Sequence, residues 1–212
     1  MRLFLSSENL GKYPEAFIEL VGDNNKLAFI ENAKDDWTID DRSEKLQEHK
    51  HQFRQLGFDV HELDLRDFFG KADKLEDWLK DFGGVFAAGG NSFILRRAMA
   101  QSGLDKILPK MLANNSLAYG GSSAGAIVAT PSLRGSEHGD YPKTIPKHYE
   151  KKIIWKGLSL VPFYVVPHYK SDWWGKEADQ MAQKLKAKNL KYYTLRDGQV
   201  IVVEAGKIEY LK

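Results

Sequence analysis

Gly121-Ser122-Ser123-Ala124-Gly125 follows the short apolar run Leu117-Ala118-Tyr119-Gly120, so a buried strand should end in a Gly-x-Ser-x-Gly turn. Ala126-Ile127-Val128-Ala129 continues it as a helix. Strand, sharp turn and helix in that order expose a serine hydroxyl above a sheet edge, which is the arrangement of a nucleophile elbow. Glycines two positions either side of Ser123 remove Cβ atoms that would clash if the serine backbone were strained. The same string is also compatible with a small-residue turn that does no chemistry. A serine attacks a carbonyl only when a base takes its proton and a third group holds that base in the right tautomer.

His168 is the best base, because it ends the apolar run Val165-Val166-Pro167, and the carboxyl end of a strand is where a parallel sheet presents reactive groups. His49 and His51 fall on a polar helix, and His138 and His148 in a long loop. For the third group the chain offers Asp140, Asp172 and Asp197, and spacing does not choose among them. Asp197 precedes Gly198 and reads equally well as the first residue of a hairpin turn. Gly89-Gly90-Asn91 is a second glycine cluster, between a strand and a helix. Its free backbone N–H groups, with that of Ala124 next to the serine, suit a developing oxyanion. A tight turn or a phosphate site at a helix N-terminus is the competing reading, but neither Gly-x-Gly-x-x-Gly nor a P-loop lysine accompanies it.

Composition narrows the chemistry further. The chain has 212 residues, 42% of them apolar and 28% charged, as expected of one globular domain spanning 1–212. Zero cysteines exclude a thiol nucleophile, a disulfide framework and cysteine-ligated metal centres, and are compatible with the reducing cytoplasm. A net charge of +2 gives no general drive toward nucleic acid or anionic membrane, and no apolar run is long enough to cross a bilayer. The expected partner is a small molecule.

The elements that must position these residues alternate between strand and helix. Strands are expected at Arg2 to Ser6, Lys26 to Ile30, Val60 to Leu65, Gly84 to Ala88, the elbow strand, and Val161 to Tyr169. Helices are expected at Pro14 to Val21, from a Thr38 cap to Leu56, Leu75 to Leu79, and in two stripes after Gly90, the second interrupted by Pro109. Tyr192 to Leu195, Val200 to Glu204 and Ile208 to Leu211 read as a terminal antiparallel meander after a basic helix from Gly175 to Lys188. The expected fold class is α/β, a mostly parallel sheet with helices on both faces. The stretch Pro131 to Trp155 has no period and is long for a connection, the signature of a lid or flap. Its cations Arg134, Lys143, Lys147, Lys151 and Lys152 read as a solvated face, with recognition of an acidic substrate as the sharper alternative.

Ala88-Gly89-Gly90-Asn91-Ser92-Phe93, Tyr119-Gly120-Gly121-Ser122-Ser123-Ala124-Gly125-Ala126 and Pro167-His168-Tyr169, in that order, resemble the peptidase E family of serine peptidases. That family includes aspartyl dipeptidase and cyanophycinase-like enzymes. The resemblance implies a fold similar to the class I glutamine amidotransferases (flavodoxin-like), with serine in place of their cysteine. It implies Ser123 as nucleophile, His168 as base, and the N–H groups of Gly90 and Ala124 as the oxyanion hole. The family's third member is generally a glutamate before a late strand, and the matching stretch Thr194-Leu195-Arg196-Asp197-Gly198 carries aspartate instead. An aspartate after the elbow has also been proposed as functional in aspartyl dipeptidase, and Asp140-Tyr141-Pro142 is similar to that segment. The expectation is therefore a cytoplasmic serine peptidase cleaving dipeptides or short peptides through an acyl-enzyme. It would need no cofactor or metal and act as a monomer or homodimer, with Asp197 or Asp140 orienting the histidine. An esterase of the α/β-hydrolase class and a non-catalytic binding protein of the same fold are the alternatives.

Overall fold

Leu3, Leu5, Ala28, Ile30, Val85 and Ala87 point to one face of a sheet, while Phe4, Leu27, Phe29 and Phe86 point to the other, and all are buried. Strands apolar on both faces belong in the middle of a three-layer α/β protein. The computed structural model describes residues 1–212 and has that architecture.

The elements run β1 (Arg2–Ser6), α1 (Pro14–Val21), β2 (Lys26–Ile30), α2 (Ile39–Gln55), β3 (Asp59–Glu62), α3 (Ala72–Leu79), β4 (Gly84–Ala87), α4 (Ser92–Ser102), α5 (Leu104–Ala113), β5 (Ala118–Ser122), α6 (Ala124–Val128), β6 (Tyr164–Val166), α7 (Gly175–Ala187), β7 (Tyr192–Thr194), β8 (Val200–Glu204) and β9 (Lys207–Leu211). The main sheet has the order β3-β2-β4-β5-β1-β8-β9. Its first five strands are parallel, and β8 and β9 add on antiparallel beside β1.

Helices α1 and α2 cover one face through Phe17, Leu20, Val21, Leu46 and Phe53, which join Phe4, Phe29, Phe58 and Phe86 in an aromatic layer. The Phe53 and Phe86 rings are 4.7 Å apart in edge-to-face contact. Helices α3 to α6 cover the other face through Leu75, Leu79, Ile94, Leu95, Met99, Leu108 and Val128. Thr38 caps α2 by accepting from the Asp41 N–H at 3.1 Å, and the Asn91 side chain caps α4 by accepting from Phe93 and Ile94. Pro109 lies well inside α5, not in its first turn.

The α/β class and the antiparallel C-terminal pair, β8 with β9, are as expected. Two details need correction. The antiparallel strands do not include β7, which pairs in parallel with β6, in register Tyr164 to Tyr192, while β8 crosses over to β1. Alternation identifies a strand but not its neighbour. The Val161 to Tyr169 strand is only Tyr164–Val166, because beyond it His168 turns to φ 55° and leaves the extended region. In this structure the buried Arg97 guanidinium meets the Pro131 to Trp155 connection, donating to the carbonyls of Pro142 at 2.6 Å, Lys152 at 3.0 Å and Thr144 at 3.3 Å.

Candidate active site

Strand β5 lies between β4 and β1, so the turn after it opens at the centre of the sheet's carboxyl edge. Ser123 adopts φ 50°, ψ −106°, a conformation that side chains rarely take, and its N–H is fastened to the Ser6 carbonyl at 3.0 Å. The flanking glycines make this possible. A Cβ on Gly121 would lie 2.5 Å from the Gly125 carbonyl, and one on Gly125 would lie 2.2 Å from the Ala87 carbonyl oxygen. Helix α6 begins at Ala124, whose N–H therefore has no partner within the helix.

His168 Nε2 lies 2.9 Å from Ser123 Oγ, and His168 Nδ1 lies 2.6 Å from Asp197 Oδ1. A carboxylate at Nδ1 holds the proton there and leaves Nε2 free to accept from the serine. The imidazole is buried, and burial lowers its pKa below the ordinary histidine value although Asp197 works against the shift. His168 is therefore neutral at neutral pH, the state a base requires. Ser7, at the end of β1, braces both partners: its Oγ accepts from the His168 N–H at 2.8 Å and donates to Asp197 Oδ1 at 2.8 Å.

The structure does not bring Asp140 to the imidazole. Its carboxylate accepts from the Ser92 N–H at 3.0 Å, where α4 begins. Asp140 is nonetheless on the same cavity, of about 300 Å³, that is lined by Ser123, His168, Gly89 and Gly90. Burial, reinforced by the nearby charge of Asp36, pushes its pKa up to about 6. Gly90 has φ 136° and its N–H has no acceptor in the protein. The Trp173 ring packs 4.3 Å from that of His168 and is largely exposed at the cavity mouth, with Trp174 behind it.

Residues 3–211 match the family model described as Peptidase family S51. The chain belongs to this family. It is a serine-type peptidase, and its fold is that of the peptidase E proteins. An uncharacterized peptidase of Listeria innocua is 28% identical over 162 residues, 75% of this chain and 72% of that one. A Drosophila melanogaster protein named as a probable alpha-aspartyl dipeptidase is 34% identical over 113 residues, covering 53% of this chain and 41% of that protein. A crystal structure of a Listeria monocytogenes protein, named as a peptidase E candidate, superimposes with a TM-score of 0.79 at 22% identity, covering 99% of this chain and 96% of that one, and shows the common fold.

In this S51 chain the basic loop residues do not line the cavity. The Arg134 guanidinium instead stacks 4.6 Å above the Trp155 ring. The cations at the site are Lys34 and Lys45, with His49 beside them. His49, expected on a polar helix, occupies that helix's inner face and bonds the buried carboxylate of Glu31 at 2.9 Å. The signal was available in Leu46, His49 and Phe53, which share the α2 stripe. Ser7 and Lys34 carried no such signal, since each acts through a contact distant in sequence. No helix is long and apolar enough to cross a membrane.

Proposed function

We propose that this S51 peptidase hydrolyses dipeptides or other short peptides through an acyl-enzyme on Ser123. The observation that carries the proposal is the hydrogen-bonded series Ser123, His168, Asp197, with spacings of 2.9 and 2.6 Å. His168 takes the serine proton as Oγ attacks the peptide carbonyl, and Asp197 stabilises the imidazolium that forms. The N–H groups of Gly90 and Ala124 receive the negative charge on the carbonyl oxygen. His168 then returns the proton to the leaving amine, and water repeats the sequence on the ester. The chain order Ser, His, acid differs from the Ser, acid, His order of the α/β-hydrolases, which argues against the esterase reading.

A cavity of about 300 Å³ lies at the small end of ligand sites, which favours a dipeptide over a longer chain. Asp140 and Glu8 place carboxylates on its wall, where the free ammonium of a short peptide would find a counter-charge. The test is a dipeptide library that includes Asp-x and β-aspartyl members, assayed with wild type and Ser123→Ala. Hydrolysis should fall by about 10³-fold or more in the variant. Unchanged turnover in Ser123→Ala would overturn the mechanism.

A further inference from the structure

Lys34 is a buried cation that the reaction scheme above leaves without a task. It ends a short helical turn, Asn32–Lys34, after β2. Its Nζ donates to the Gly89 carbonyl at 2.6 Å and to the Glu31 carboxylate, whose second oxygen meets His49 Nδ1 at 2.9 Å. Lys34, Glu31 and His49 are only 5%, 0% and 3% exposed. Lysine is rarely so buried, and a buried ion pair adds little to stability once desolvation is counted. Burial indeed pulls the Lys34 pKa below its ordinary value against the attraction of Glu31. The contact that distinguishes this pair from a structural one is the Gly89 carbonyl.

The Gly89 carbonyl and the Gly90 N–H belong to one rigid trans peptide, in which they point in opposite directions, so fixing one aims the other. Backbone bonds hold the segment on either side, Ala88 N–H to Ile30 at 2.9 Å in the Ala87–Ala88 peptide and Asn91 N–H to Ala33 at 2.8 Å in the Gly90–Asn91 peptide. The Ala88–Gly89 and Gly89–Gly90 peptides between them have no such bond, and the second, between two glycines, is the easier to rotate. A Cβ on Gly89 would stand 3.7 Å from Ser123 Oγ, so this peptide borders the nucleophile directly.

We infer that Lys34 is a positioning residue that latches the Gly89–Gly90 peptide, so that the Gly90 N–H faces the oxyanion formed at Ser123. Its charge on the carbonyl side also polarises the amide in the direction that strengthens the donor. This rests on the reading of Ser123 as nucleophile.

The experiment measures the rate at which a fluorophosphonate labels Ser123 as a function of pH, since the phosphonyl oxygen occupies the oxyanion position without the natural substrate being known. The chains compared are wild type, Lys34→Met, the charge-balanced Glu31→Gln/Lys34→Met, and Ser123→Ala. Loss of a whole oxyanion donor costs about 10²–10³-fold, and a donor left present but unaimed should cost about 10–10²-fold. Both Lys34 variants are expected to label that much more slowly, with the midpoint of the pH dependence, which belongs to His168, unmoved. The double variant leaves no uncompensated buried charge and covers the case in which the single one fails to fold. Folded variants labelling within about threefold of wild type would overturn the latch, as would a slowed rate with a displaced midpoint, which marks damage at His168. A Lys34 that merely binds substrate carboxylate would leave labelling intact and raise only the KM for peptides, which also overturns the latch. Wild type that shows no Ser123-dependent labelling would overturn the Ser123 reading itself, and the latch with it.

Discussion

Asp140→Asn separates two roles that an aspartate at this position could play. In the folded protein the carboxyl is buried against the start of α4 and keeps its proton up to about pH 6, whereas the same aspartate in the unfolded, solvated chain releases it near 3.8. Between those values folding takes up a proton, so stability is fullest below pH 3.8, declines as pH rises to about 6, and is flat above. That interval, at about 1.4 kcal/mol per pH unit, corresponds to roughly 3 kcal/mol of destabilisation at neutral pH. Asparagine has nearly the same shape, still accepts from the Ser92 N–H, and cannot ionise. The expected outcome is a variant more stable than wild type by about 1–3 kcal/mol at pH 8 and no more stable at pH 4, read by urea unfolding across that range. A loss of stability at pH 8, or a gain that persists at pH 4, would refute the reasoning. Fluorophosphonate labelling of Ser123 should meanwhile stay within about threefold of wild type, because Asp140 does not touch His168, whereas peptide hydrolysis falls if Asp140 holds the substrate ammonium. Labelling reduced by orders of magnitude would make Asp140 the orienting acid after all.

Asp197→Asn should reduce labelling and hydrolysis by about 10²–10⁴-fold, since an amide at Nδ1 no longer selects the tautomer with Nε2 free; retention of wild-type rates would remove Asp197 from the mechanism. The labelling rate should rise with pH through a single midpoint below 6.5, because burial disfavours the imidazolium of His168, and loss of Asp197's opposing charge should lower that midpoint further. A midpoint above 6.5 would contradict this. Gly125→Ala drives a Cβ to 2.2 Å from the Ala87 carbonyl oxygen in β4, so it should cost about 2 kcal/mol or more and abolish labelling. Thermal unfolding indistinguishable from wild type would show that the elbow is not constrained in this way.

The central strands were legible because their residues have no other option. Lys26–Ile30 and Gly84–Ala87 are apolar on both faces, and such runs between amphipathic helices must form a covered parallel sheet. The capped start of α2 at Thr38 was legible for a similar reason, a local side chain acting on a local N–H. The chain's last third was not, because there the deciding contacts are remote. Whether β8 lies beside β7 or β1 depends on which edge is unoccupied after the parallel strands have assembled, and nothing between Tyr192 and Glu204 records that β1 has a free edge.

The same distinction explains the site. The elbow was visible because Gly121, Ser123 and Gly125 constrain one another over one turn of chain. The contact between Asp197 and His168 was not, because Asp197 reaches His168 only through the pairing of β7 with β6 and through Ser7, which arrives from β1 and bonds both residues. A two-residue hairpin between β7 and β8, the reading that Asp197-Gly198 invited, would have spent that aspartate on the turn. Instead Leu195 donates to Val166 at 2.8 Å and Tyr169 donates to Leu195 at 2.9 Å, which binds the segment before Asp197 to the segment around His168. The short side chain then suffices, because the backbone has been brought to the imidazole, and the reach that a glutamate would supply is supplied here by strand pairing.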